Sequence, residues 1–167
     1  LSDATTDHDY FVDGAPVIYQ DTGQKILFFG ERRGGSDYYA LDVTTYNAPE
    51  YLYKIESDFL AGVHGVNATL GQSWCMPTVH EIKTSSGSDT VFLMAGGYDT
   101  NQDLTSPNAS DTVGRAVFTI KVSDGTISSL NVNAGYYADM THCFVDVAGF
   151  DTNGNGYTNR VYAGDLG

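Results

Sequence analysis

Three times an apolar strand runs into a glycine-led polar loop: ILFFGERRGG around Gly30, VFLMAGGYDTN around Gly96 and RVYAGDLG around Gly164. Successive glycines stand 66 and 68 residues apart. A repeat of that length means one supersecondary unit duplicated along the chain, which excludes most single-core folds. The match extends upstream of each glycine. Ala15–Leu27, Met76–Leu93 and Phe144–Tyr162 each read as strand, polar turn, strand.

The first copy sets the anatomy of the unit. Ala15–Gln20 is a short apolar strand, and Asp21-Thr22-Gly23-Gln24 is a turn with glycine where a positive φ is often needed. Ile26–Phe29 is a continuous apolar run, the pattern of a strand buried on both faces. Tyr38–Thr44 alternates, with Tyr39, Leu41 and Val43 on one face and Tyr38, Ala40 and Asp42 on the other. Tyr51–Ile55 follows as a fourth, outer strand. The second copy repeats the order with a buried run at Val91–Ala95, an alternating strand bearing Ala116, Phe118, Ile120 and Val122, and a last strand over Thr126–Val132. Four antiparallel strands per unit predict an all-β fold, a β-propeller built of four-stranded blades. The blades span about 10–56 and 74–132, with a third begun at 142, so that residues 1–167 form part of one propeller domain. The chain reads as a partial propeller, a piece of a longer protein.

Nineteen Gly, twelve Tyr and eight Phe fit many short strands better than helices. The formal net charge is −13, and the one basic pair is Arg32-Arg33. A nucleic-acid partner needs a positive footprint to displace counterions from phosphates, so that class is excluded. An acidic surface favours solubility and suits cations. No segment reaches the apolar length of a membrane helix. Asn67-Ala-Thr and Asn108-Ala-Ser match a glycosylation acceptor pattern that is common by chance.

The strongest chemical signal is in the third copy, where the plain turn becomes Asp151-Thr-Asn153-Gly-Asn155-Gly156-Tyr157-Thr-Asn159. Oxygen-bearing side chains occupy positions 1, 3, 5 and 9, and glycine occupies position 6. That is the spacing of the first nine positions of an EF-hand calcium loop, where position 7 offers its backbone carbonyl, here that of Tyr157. Calcium accepts several oxygen ligands at flexible geometry, so amide oxygens are chemically suitable. Asp151 alone is charged, position 12 is Tyr162 rather than a bidentate Glu, and strands rather than helices flank the loop. The expected affinity is therefore weak, ~10⁻⁴ M or poorer. A metal-free Gly/Asn turn is the alternative. Asp99-Thr-Asn101-Gln-Asp103 is a second oxygen-rich run, without the glycine. It opens the loop Tyr98–Gly114, which is thirteen residues longer than its counterpart in the first copy. Such an insertion either carries function or is inert surface.

Cys75 and Cys143 are 68 residues apart in equivalent registers, which allows either a bridge between neighbouring units or two buried thiols. His142 next to Cys143 makes two ligands, too few for zinc. The chain has no nucleophile elbow, HExxH, Walker loop or dinucleotide fingerprint, and no enzymatic activity is expected. Trp74, the sole tryptophan, is expected to pack between units.

GERRGGSDYYALDVT (Gly30–Thr44), LGQSW with MPTV (Leu70–Val79), GGYDTNQD (Gly96–Asp103) and DTNGNGYTNRVYAGDLG (Asp151–Gly167) together resemble the C-terminal β-propeller of PilY-type proteins. These are tip adhesins and biogenesis factors of type IV pili. The resemblance runs in order over nearly the whole chain. It implies a modified propeller like that of quinoprotein alcohol dehydrogenases, on an exported protein at the pilus tip and cell surface. It also implies partnership with minor pilins and the tip complex, and contact with host or abiotic surfaces. A calcium loop of this kind regulates pilus extension and retraction in that family. The carried-over ligands are Asp151, Asn153, Asn155, Asn159 and the Tyr157 carbonyl, although family loops often have Asp where Asn155 and Asn159 stand.

Two other functions share the scaffold. Ala40-Leu41-Asp42 is similar to blade motifs of quinone-dependent periplasmic dehydrogenases, but the adjacent cysteine pair many of them place by the cofactor is missing. The other is a purely structural propeller whose Asp151 turn holds no metal.

Overall fold

The structure, a computed structural model, describes residues 10–57, 69–106, 110–129 and 141–166. The two glycosylation triplets fall wholly or partly outside these residues, as does the end of the strand expected over Thr126–Val132. Among the described residues ten strands form three antiparallel sheets. The first sheet is β1 (Val17–Gln20), β2 (Lys25–Gly30), β3 (Tyr38–Asp42) and β4 (Glu50–Ile55), in that order. The second repeats it with β5 (Thr78–Thr84), β6 (Gly87–Ala95), β7 (Val117–Lys121) and β8 (Ile127–Ser129). The third is the hairpin β9 (Phe144–Phe150) and β10 (Arg160–Asp165). Among the described residues no helix is long and apolar enough to cross a membrane.

The second sheet is packed on both sides. Every residue of Val91–Ala95 is buried. Because side chains alternate along a strand, Phe92 turns toward the first sheet, where its ring stacks on Phe28 at 4.4 Å between centroids. Leu93 points the other way, against the backbone of β9 at Gly149. The first sheet differs from expectation here. In β2, Ile26 and Phe28 are fully buried but Leu27 and Phe29 are half-buried. On that outer face Phe29 stacks with Tyr39, and Lys54 reaches over the Tyr39 ring to an ion pair with Asp37 at 2.7 Å. An apolar run signals burial on both faces only where both faces find a neighbour, and among the described residues β2 has one.

Contacts between the first two sheets recur at each end. Tyr38 is fully buried and donates its hydroxyl to the Cys75 carbonyl at 3.2 Å. At the outer edge the Tyr53 hydroxyl donates to the Val122 carbonyl at 3.0 Å, with its ring against Gly125, where a Cβ would come within 2.7 Å. Trp74 packs between the units as expected. Arg32 lies over its ring at 4.5 Å, Arg33 at 5.5 Å, and Tyr98 tilts against it at 5.7 Å. The basic pair is thus spent on an inter-sheet joint.

The repeating glycines have a physical cause in two copies. A Cβ on Gly30 would come within 2.8 Å of Ser73 and of Tyr38. One on Gly96 would approach the Gly114 carbonyl oxygen to 2.5 Å, in a place where backbones of successive sheets touch. There the Gly71 N–H donates to the Gly96 carbonyl, the Gly97 N–H to Phe144, and the Phe144 N–H to Gly114, all at 2.9 Å. A Cβ on Gly164, by contrast, would meet nothing within 4 Å. The Asp21 turn also forms without the expected left-handed glycine. Gly23 is not among the positive-φ residues, and the Asp21 carboxylate makes the turn by accepting from the Gly23 and Gln24 N–H groups.

The cysteines are free thiols, both buried. Cys75 Sγ accepts the Ala95 N–H at 3.2 Å and Cys143 Sγ the Asp99 N–H at 3.3 Å. Burial pushes the Cys75 thiol up to about 12 and the Cys143 thiol up to about 11, which favours the protonated thiols at neutral pH.

Candidate functional site

The Asp151–Asn159 loop closes the β9–β10 hairpin. Its base is set by the pairing of Arg160 with Phe150 and by the Asn159 N–H donating to the Phe150 carbonyl at 2.9 Å. Inside the loop the Asp151 carboxylate does the folding. Its Oδ1 accepts from Asn153 and Gly154 N–H at 3.2 and 2.9 Å, and its Oδ2 from Gly156 N–H at 2.7 Å. Gly154 and Gly156 adopt φ of +69° and +85°, conformations that only glycine takes without strain, which explains the glycine at loop position 6. The Gly156 amide is the largest cause holding the Asp151 carboxyl below its usual range, so the loop keeps its negative charge at neutral pH.

The five sequence-predicted ligand residues therefore share one turn, exposed at Asp151, Asn153 and Asn155 and half-buried at Tyr157 and Asn159, and their side-chain oxygens differ in commitment. Asp151 Oδ2 accepts one hydrogen bond from the turn and retains acceptor capacity. Asn155 Oδ1 accepts the Tyr157 N–H at 3.0 Å, and Asn153 is exposed to solvent. Asn159 Oδ1 is the most committed, accepting both the Thr152 N–H at 3.1 Å and its hydroxyl at 2.9 Å. Among the described residues no three His, Cys, Asp or Glu side chains gather as a metal site. A cation here would rest on one carboxylate and neutral oxygens. Those donors fit a hard ion such as calcium held weakly, and do not fit zinc or another soft metal.

The second oxygen-rich run is not arranged for metal. Thr100–Asp103 is a 3-10 turn capped by Asp99. Asp99 is buried and spends both oxygens on the Asn101, Thr112 and Val113 N–H groups and the Thr112 hydroxyl. Asp103 turns away to accept from the Tyr98 hydroxyl at 2.8 Å. Beside it lies a buried cluster that motif reading missed. Asp111, 2% exposed, accepts from Asn101 Nδ2 at 2.6 Å, Gln102 Nε2 at 2.9 Å and the Cys143 N–H at 2.7 Å, with His142 Nδ1 at 3.6 Å. Burial pushes both carboxyls up, but the hydrogen bonds outweigh it and each lies below the usual range. The inserted loop is thus pinned to the start of β9, a structural role for residues spread over 44 positions that no local spacing could reveal.

The geometry defines a class of protein: an all-β chain of stacked antiparallel four-stranded sheets, with a carboxylate-centred turn on the hairpin of the third. The crystal structure of the Pseudomonas aeruginosa PilY1 C-terminal domain has this fold. It superposes with a TM-score of 0.61 at 25% sequence identity, over 93% of this chain and 28% of that one. The resemblance to PilY-type C-terminal domains expected from the motifs is therefore found in three dimensions. This chain spans 28% of the length of that solved chain. No family model matches the sequence, and no curated protein does.

Proposed function

We propose that this chain is a non-enzymatic, calcium-binding section of a β-propeller, in a protein associated with the tip of type IV pili. It serves pilus assembly, control of retraction, and adhesion to surfaces. The observation that carries the reading is the similarity to the PilY1 C-terminal domain over nearly the whole chain. Repetition of the same four-stranded sheet supports propeller closure in the whole protein, because each sheet offers a face for the next. Export through the periplasm to the cell surface, with minor pilins as partners, belongs to the same reading.

Calcium is held in this reading by Asp151, Asn153, Asn155, Asn159 and the Tyr157 carbonyl. When bound it supplies a positive charge that knits the turn together. The residues themselves carry the rest: Asp151 shapes the turn and stays ionised, and the two glycines let the backbone curl around it. Ordering such a loop biases a docking surface between two states, which is a route from calcium to pilus dynamics. The turn's internal hydrogen bonds also favour a second reading, a structural hairpin that needs no metal.

Calorimetry of the intact protein with calcium separates these readings. Saturable binding at submillimolar to millimolar calcium, abolished by Asp151→Ala, is the expected result. No heat at millimolar calcium leaves the metal-free hairpin. Pilus number with and without calcium in an Asp151→Ala strain then tests the biological step, and identical behaviour of mutant and wild type would sink it.

A further inference from the structure

The Asp151–Asn159 turn is exposed as far as Gly156, yet its far end is half-buried and fastened to a different sheet. The Thr158 N–H donates to the Glu81 carbonyl of β5 at 2.7 Å. The Thr158 hydroxyl lies 2.8 Å from His80 Nδ1, and His80 Nε2 lies 2.8 Å from the Thr78 hydroxyl. Lys83, two residues on from Glu81, places its ammonium 5.0 Å from the centre of the Tyr157 ring. These contacts grip the second arm of the loop.

The same imidazole also touches the first arm. A Cβ on Gly149 would stand 2.7 Å from His80 Cε1 and 3.0 Å from its Nδ1, so the ring lies directly on the β9 backbone two residues before Asp151. His80 therefore lies on one face of the paired hairpin that carries the loop, touching β9 at Gly149 and the second arm at Thr158. Both ring nitrogens are used and the ring is half-buried, which restricts its rotation. A cavity of about 260 Å³ lies alongside, lined by His80, Leu93, Thr158, Asn159 and Val161 among others. The hairpin has space to shift there if the imidazole is removed.

We infer that His80 and Thr158 form a latch by which the second sheet sets the geometry of the Asp151–Asn159 turn, making His80 a positioning residue for the cation proposed above. The inference rests on the calcium reading for its ligand but not for the latch itself. Asp151 and Asn159 stand at the ends of the two arms that His80 touches, so the placement of the two end ligands depends on a residue 71 positions before Asp151. Binding at the loop and packing of the third hairpin on the second sheet are one coupled equilibrium. Lys83 contributes less, because its cation–π contact is at the surface.

The test uses the intact protein with His80→Ala, and Thr158→Val as a variant that removes only the hydroxyl and keeps the side-chain shape. In calcium-free protein, ¹⁵N relaxation at Gly154 and Gly156 reads the order of the turn. Lower order parameters in both variants are expected, and unchanged values overturn the latch. Calcium titration follows. Each variant is expected to bind about three- to tenfold more weakly, the effect of one lost hydrogen bond, and the double variant no more weakly than the worse single one. Wild-type affinity in both singles overturns the positioning role. Wild-type protein that binds no calcium overturns the calcium reading instead, while the relaxation result still decides the latch.

Discussion

Two polar loops in this protein are organised by aspartates, and their difference separates structure from candidate function. In the inserted loop, Asp99 and Asp111 are buried, and every described partner of their oxygens is a group of the same packed junction. In the third hairpin, Asp151 is exposed and its turn faces solvent. All three carboxylates hold loop backbone around themselves. Only the exposed one leaves acceptor capacity toward water, the side from which a cation would have to come. An oxygen-rich sequence run is thus ambiguous until burial is known, since the same hydrogen-bonding chemistry serves as a keystone inside and as a cradle outside.

The sharpest way to break that comparison is to remove each aspartate in turn. Asp111→Ala strands the buried Cys143 N–H and the Asn101 amide, and is expected to lower stability by about 3 kcal/mol or more in urea unfolding. A loss under about 1 kcal/mol would mean the network is replaceable by water.

Acid should loosen the buried junction. Asp99 and Asp111 have folded-state pKa values below the unfolded reference of 3.8. A lowered carboxyl binds its proton more readily in the unfolded chain, so its contribution is complete above that reference and disappears as pH falls through the folded value. The junction of the inserted loop with β9 should therefore hold at pH 5 and weaken progressively below about pH 4. Following the Cys143 amide by NMR checks this, and Asp99→Ala, expected to cost about 2 kcal/mol at neutral pH, should flatten the dependence.

A smaller effect is expected from adding charge to the exposed turn. Asn155→Asp keeps the acceptor that receives the Tyr157 N–H and supplies a second carboxylate. Calcium affinity should rise about tenfold, since ligand charge sets affinity in such loops. Titration calorimetry reads this, and an unchanged affinity would remove Asn155 from the ligand set. The smallest effect belongs to Asp103→Ala, which loses one exposed hydrogen bond to Tyr98. Stability should change by less than about 0.5 kcal/mol and calcium binding not at all. A loss of calcium binding there would reassign the site to the run Asp99–Asp103.

Much of the architecture was legible because strand pairing leaves a local trace. The alternation at Tyr38–Asp42 and the apolar runs of β2 and β6 report their own strands, and the repeat reports that the same sheet recurs. The turn at Asp151 was equally legible, since an aspartate that binds its own next amides needs only its neighbours and two left-handed glycines. What that trace lacks is the identity of the surface opposite. Leu27 and Phe29 read as buried as Val91 does, yet they are half-exposed because burial depends on a second sheet.

The strand order, the repeating sheet, the glycine-backed hairpin turn and the spacing of its oxygen-bearing side chains were written in the amino-acid sequence, all set by interactions within a few residues or one pairing register. Only the stacking of the sheets decided that the cysteines are free thiols, that Asp111 holds down the inserted loop, that the arginine pair lies on Trp74, and that His80 packs against both arms of the Asp151 turn. Those are contacts between distant segments. Their partners are chosen by how the sheets stack, and a linear spacing rule carries no record of that choice.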